Sequence, residues 1–324
     1  VKQSKDSLNI KDQRLLDYYY DMFLRAGAKL SEPEKDSMRM LNSELAELST
    51  KFSQNILKSF KYDVILVQDK ELLQGLSDGD IAILAEAAKT VDQSGYLINI
   101  VNTTRQPILS TLKDRRLRQK IWETSSQRAA ETNGPILLRM ATLRADKAKL
   151  LNYPNWATYS TANQMAQNPQ AVFEILDRLA PKALAKAKTE AADIKAMMRA
   201  EGELSELQPW DWAYYAEKVR SAKFDLDESQ VKPYFEFNTV LNDGLFFAMN
   251  KLYGISMKIR TDLPVWHEDV TAYEVFNEDG SSIGLFYIDA YAREGKSGGA
   301  WMDEFVTQCE LLKTKPVVYN SLNL

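Results

Sequence analysis

The chain has 324 residues, 41 Lys and Arg against 45 Asp and Glu, a net charge of −4, one histidine and one cysteine. The balanced charge lacks the basic excess of a nucleic-acid binder. The lone Cys309 excludes an internal disulfide, and Cys309 with His267 cannot build a His/Cys zinc centre within this chain.

Glycine and proline are scarce, 13 and 10 residues, which favours long helices, and no apolar run approaches the ~18 residues that would span a bilayer. Residues 1–6 are polar and the chain opens on Val1 rather than Met, which reads as a piece of a longer polypeptide. The first expected helix covers residues 15–30. Ser31 and Glu34 then form a capping box. Behind it Met38, Leu41, Leu45, Leu48, Phe52 and Ile56 recur at steps of three and four, the stripe of an amphipathic helix facing a core. Residues 62–67 are β-rich, a helix starts near Ser77 and carries Ile81, Leu84 and Ala88, and residues 96–101 are extended. From Pro107 to about Glu203 the chain reads as helical. It is broken by a turn over residues 152–155 and restarted at Asn168, with Pro169 in the first helical position. Residues 183–200, rich in Ala and Lys, are helical by propensity and expected to be exposed.

After Gly202 the texture changes. Pro209-Trp210-Asp211-Trp212 predicts a packed aromatic corner, and helices are expected over residues 214–223 and 237–253. Strands are expected at 271–276, 283–288, 299–305 and 316–320, the first two joined by a turn at Asn277-Glu278-Asp279-Gly280. The predicted fold class is mainly α, a multi-helix amino-terminal lobe with a small antiparallel sheet near the carboxy-terminal end. A helical region over 1–112 is expected ahead of a module over 113–324, with helices to about 253 and the sheet over about 265–320.

Two motifs suggest chemistry. Ala290 to Ser297 (AYAREGKS) follows a predicted strand and loosely matches a phosphate loop, with Lys296 and Ser297 in the phosphate and magnesium positions. Gly298 and Gly299 stand where the helix would start, so a glycine-rich bend is the better reading. His267-Glu268 opens like H-E-x-x-H, but the fifth position is Thr271, so the second ligand is missing and a structural or substrate-facing histidine is expected. Asp225, Asp227 and Glu228 lack the glycine and spacing of a calcium loop and read as a helix cap and solvated face.

Several ordered blocks carry more. They are Gln208-Pro209-Trp210-Asp211-Trp212 with Tyr215-Ala216-Glu217, Lys232-Pro233-Tyr234-Phe235-Glu236, Asn238 to Asn242, and Leu263 to Val270. Gly284 to Tyr287, Arg293 to Met302 and Lys315 to Asn320 follow, with Asn102-Thr103-Thr104 upstream. Through these blocks the chain resembles the peptidyl-dipeptidase branch of the thimet oligopeptidase family of zinc peptidases. The resemblance implies a mainly helical, two-lobed enzyme whose channel admits short peptides. Its zinc sits on an H-E-x-x-H helix with a glutamate as general base, and release of carboxy-terminal dipeptides is favoured over internal cleavage. This chain ends before that motif, so it is expected to hold no catalytic residue and no metal, with zinc in the full-length parent alone. The expected substrate contacts are Gly298, Gly299, Ala300 and Trp301, on an edge strand that pairs with the peptide, and His267, lining the channel. Expected partners are short peptides and the missing carboxy-terminal half of the enzyme, with neither nucleic acid nor membrane. The expected compartment is the cytoplasm, with the periplasm as alternative. A non-catalytic helical scaffold derived from the same family is the alternative function. The carboxy-terminal strands, with Phe286, Ile288, Val317 and Val318, are expected to expose an apolar patch.

Overall fold

A computed structural model describes residues 8–224, 228–293, 296 and 298–324. The fold is mainly α, as the sequence predicts. The main helices are α1 (Ile10–Arg25), α2 (Glu32–Tyr62), α3 (Asp78–Lys89), α4 (Asn102–Thr111), α5 (Arg115–Ser126), α6 (Ala130–Leu150), α7 (Trp156–Thr161), α8 (Pro169–Ala200) and α9 (Pro209–Phe224), with single turns at Lys70–Leu73, Glu228–Val231 and Lys232–Phe235. Residues 237–253 form a further helical rod with a π-helical middle, Val240–Phe246. The strands are β1 (Val64–Val67), β2 (Tyr96–Asn99), β3 (Ser256–Ile259), β4 (Val270–Phe276), β5 (Ser282–Asp289), β6 (Trp301–Val306) and β7 (Val317–Ser321). Two compact units share the chain, Val1–Ser59 with Gln127–Thr189, and Phe60–Ser126 with Glu190–Leu324. Asp225, Asp227 and the side chain of Glu228 lie outside the described residues, as do Glu294, Gly295 and Ser297 of the phosphate-loop-like stretch.

The first unit is helical. α1 runs over Ile10–Arg25 rather than 15–30, because Asn9 Oδ1 accepts from the Asp12 N–H at 2.9 Å and Gly27 turns left-handed, φ +95°, behind the last turn. Of the expected box one half forms: the Glu34 carboxylate accepts from the Ser31 N–H at 2.8 Å and from the Ser31 hydroxyl at 2.7 Å, so that hydroxyl donates to the carboxylate instead of capping the helix. On α2, Met38 is buried and Leu41, Leu45, Leu48, Phe52 and Ile56 are half-buried, the predicted stripe. Polar ties supplement it. Glu44 on α2 takes both Nε and Nη2 of Arg139 on α6, at 2.7 and 2.8 Å, and Asn55 donates to buried Asn133 at 2.9 Å. Lys147, whose pKa burial pulls down, donates to Asn42 at 2.6 Å beside a cavity of about 1160 Å³ lined by Arg14, Tyr18 and Arg25.

The second unit holds two sheets. β1 and β2 pair antiparallel, Val64 opposite Asn99, over a core of Ile65, Leu73, Leu84, Ile98, Ile100, Leu112 and Ile121. Pro107, expected to begin a helix, stands inside α4 instead. The larger sheet has the order β3-β4-β5-β7-β6. It is not wholly antiparallel. After β5 the chain runs out to β6, and β7 returns between them, parallel to β5 and antiparallel to β6. β3 also pairs onto β4 ahead of the region expected to hold strands. The 237–253 rod covers one face, with Phe237, Leu241 and Phe246 on Tyr273, Phe286 and Ile288. The opposite face is covered by Leu263 on Val270, Ala272 and Tyr287. Phe286, Ile288, Val317 and Val318 are therefore buried or half-buried, and the exposed apolar residues of this sheet lie on its two edge strands, Ile259 on β3 and Trp301, Met302, Phe305 and Val306 on β6.

Candidate functional site

β6 closes one edge of its sheet, with β7 on one side and, among the described residues, no strand on the other. All six of its residues are exposed. Such an edge presents a row of main-chain N–H and C=O groups, a template for a further strand. A bulge between Glu304 and Val306 breaks the register with β7, and the Phe305 ring stacks on Tyr319 at 4.7 Å.

The four residues expected to lie on the edge strand are divided by the structure. Trp301 opens β6, whereas Gly298, Gly299 and Ala300 form the bend that leads into it. The expected strand start at Gly299 is thus corrected to Trp301. Gly299 has φ +99°, a conformation that L side chains rarely adopt, and its carbonyl accepts from Asn323 Nδ2 at 2.6 Å. Among the described residues no heavy atom beyond the immediate chain neighbours lies within 4 Å of the Cβ that either glycine would carry, so close packing against them does not demand a glycine at either position.

Asp289, at the end of β5 and 3% exposed, organises the bend. Its carboxylate accepts from Arg293 Nη1 and Nη2 at 2.5 and 2.6 Å, from Lys296 Nζ at 2.9 Å and from the Trp266 indole N–H at 2.9 Å. The Arg293 hydrogen bonds, opposed by burial and joined by Lys296 and Trp266, hold the carboxyl well below the usual carboxylate range. Lys296 also donates to the carbonyls of Asp289 and Tyr291, at 2.9 and 2.8 Å. Three acceptors meet the three ammonium protons. The lysine of the phosphate-loop-like stretch is therefore occupied within its own loop.

Through Asp289, Trp266 is fixed over the sheet. Its ring stacks on Tyr287 at 5.6 Å and meets Phe305 at 5.7 Å and Tyr319 at 6.1 Å. The neighbouring His267 lies in a turn closed by the Val270 N–H on its carbonyl at 3.1 Å, and its Nδ1 accepts from the Asp269 N–H at 3.2 Å. Among the described residues no three of His, Cys, Asp and Glu converge, and Cys309 lies in an isolated bridge with Thr314.

A second node lies under Pro209-Trp210-Asp211-Trp212. α9 starts at Pro209, ahead of the expected position 214, because proline suits the first helical position and Asp211 accepts from the Gln208 N–H at 3.1 Å. Fully buried Asp211 also accepts from Arg115 Nε and Nη2, at 2.9 and 2.7 Å, and from Arg118 Nη2 at 3.1 Å. Arg118 is 1% exposed, gives Nη1 to the carbonyls of Leu112 and Lys113, and packs over Tyr214 at 4.2 Å. Burial pushes the Asp211 pKa up, and the hydrogen bonds from Arg115, Arg118 and Gln208 outweigh it, leaving the pKa lowered. Sequence reasoning missed both aspartates. The available signals were an acid three residues past the Gln208 cap and the Asp289, Arg293, Lys296 spacing behind an apolar strand.

Residues 108–324 match peptidase family M3. Dipeptidyl carboxypeptidase of Escherichia coli (strain K12) is 42% identical, aligned over 100% of this chain and 48% of its own length. Oligopeptidase A of Salmonella typhimurium is 33% identical over 98% of this chain and 48% of its length. The organellar oligopeptidase A, chloroplastic/mitochondrial, of Arabidopsis thaliana is 31% identical over 97% and 42%. The chain spans about half the length of these curated relatives.

Proposed function

The chain belongs to peptidase family M3, and we propose that it is part of a zinc peptidase that takes short peptides and releases carboxy-terminal dipeptides. The observation that carries its own share of this work is the free, exposed edge of β6. An extended peptide laid along β6 would pair its main chain with that edge, whatever its sequence. Support for dipeptide release over internal cleavage comes from the higher identity to the dipeptidyl carboxypeptidase, 42%, than to oligopeptidase A, 33%. Zinc, held by residues outside this chain, would polarise the scissile carbonyl and activate water. The role of this chain is to bind and orient. β6 fixes the peptide in one plane, and the Asp289 clamp sets the course of the chain between β5 and β6.

The test is expression of the whole open reading frame beside this chain alone. The whole protein is expected to bind one zinc and to release dipeptides from amino-blocked peptides, read by mass spectrometry, while this chain alone cleaves nothing. Internal cleavage by the whole protein would replace dipeptide release with oligopeptidase activity. A whole protein without H-E-x-x-H and without hydrolysis would leave a helical scaffold.

A further inference from the structure

Main-chain pairing along an edge strand is indifferent to side chains, so selectivity must come from what flanks the strand on each face of the sheet. On the face occupied by Tyr287 and Tyr319, the pleat of β6 places Trp301, Asp303 and Phe305, with Asp303 directly opposite Tyr319. Phe305 is 60% exposed and Trp266 46% exposed. Their rings meet at 72° and 5.7 Å, two walls of an apolar corner. Both walls are held, Phe305 by stacking on Tyr319 and Trp266 by its indole N–H on buried Asp289. A half-exposed aromatic pair fixed in this way gives up little rotamer freedom when it is covered. A strand added to the free edge would lie roughly 4.8 Å from β6, and its alternate side chains would reach this face.

The charge of the edge narrows the occupant. β6 carries Asp303 and Glu304 and no Lys or Arg. Among the described residues each of these carboxylates meets a local N–H or hydroxyl and no cation: Asp303 accepts from the Glu304 N–H, and Glu304 from the Thr307 hydroxyl. Two carboxylates without a cation beside them favour a basic chain over an acidic one.

We propose that Trp266 and Phe305 form a side-chain subsite of this edge, which takes an aromatic or large aliphatic side chain of an extended peptide, and that Asp303 and Glu304 favour basic over acidic residues around it. The subsite rests on the reading of β6 as the strand that holds the peptide main chain.

The test is isothermal titration calorimetry of the 324-residue chain with short blocked peptides that differ at one central position, Phe, Leu, Ala or Glu, flanked by Lys or by Glu. The Phe peptide is expected to bind about tenfold more tightly than the Ala peptide, with Leu between them. Lys flanks should bind more tightly than Glu flanks, with a gap that narrows as salt rises. In Phe305→Ala the ratio of Phe to Ala affinity should fall towards one, and Phe305→Leu should retain part of it. Thermal unfolding of each variant shows whether it is folded; Phe305 is exposed enough that Phe305→Leu is expected to melt like the parent. Equal binding of the Phe and Ala peptides, or a Phe preference that survives both Phe305→Ala and Trp266→Leu, overturns the subsite and leaves the edge reading in place. Binding of no peptide to the folded chain overturns the edge reading and the subsite with it.

Discussion

Asp211 accepts from Arg115 and Arg118, one helical turn apart on α5 and more than 90 residues away in sequence. Asp289 accepts from Arg293 and Lys296, four and seven residues further along the same loop. Both carboxylates are buried and each holds two cations. They differ in what those cations are attached to. Arg118 is buried with its carboxylate and gives protons to the main-chain carbonyls of Trp210, Leu112 and Lys113, so the node ties α5 to α9 and to the residues that lead into α5. The partners of Asp289 follow it by four and seven residues on the same stretch of chain, so that node sets a local path, from the end of β5 towards the exposed edge. A buried ion pair therefore reports on stability in one region and on the placement of a binding surface in the other.

The largest effect that would separate the two regions is expected from Asp211→Ala. It leaves Arg118 buried without its counter-charge, which costs about 3–5 kcal/mol. Denaturant unfolding measures this, and a loss below about 1 kcal/mol would mean that hydrophobic packing alone joins α5 to α9. Asp289→Ala should cost less, about 1–3 kcal/mol, because Arg293 can turn to solvent and Lys296 keeps two carbonyls. Its signature is local: faster hydrogen exchange in β6 and around Trp266, with α9 unchanged. Equal acceleration in α9 would remove the distinction between the nodes.

Acid should act on both. Each carboxyl has a pKa lowered by folding. The stability each contributes is complete above the unfolded value, near 4, and is lost as pH falls from there towards the folded value. The denaturant midpoint should hold steady from neutral pH to about 5 and drop below about 4. Asp289→Asn should flatten part of that drop. A midpoint that already falls between pH 7 and 6 would assign the pH dependence to other groups. The smallest effect is expected in the bend. Gly299→Ala must place a Cβ at φ +99° and should cost about 1 kcal/mol. Gly298→Ala, with open space around it, should be near neutral in thermal unfolding. Equal costs would show that φ does not set the requirement for glycine at position 299.

Some of the site was legible because its signals are local. Trp301 and a strand after it follow from apolar and β-branched texture, and the turn at Asn277 to Gly280 from its own residues, with Gly280 at φ +80°. The division of Gly298, Gly299 and Ala300 from the strand was not legible. It depends on where Ser321, the last residue of β7, meets Trp301. His267 stood out as the only histidine, whereas Trp266 beside it carries the contacts to the sheet, because only the fold brings Asp289, Tyr287 and Phe305 around one indole.

The same line divides the whole molecule. The sequence by itself determined the mainly helical class, the α2 stripe from Met38 to Ile56, the pairing of Ser31 with Glu34, the β1 and β2 strands and the family resemblance. Each is written in the spacing of residues a few positions apart or in ordered blocks. Only the tertiary structure decided that β7 inserts between β5 and β6, which creates a parallel pair and leaves β6 as an exposed edge. Strand order depends on which long-range pairing best satisfies main-chain hydrogen bonds and buries both faces of the sheet, and that balance is struck among residues far apart in sequence.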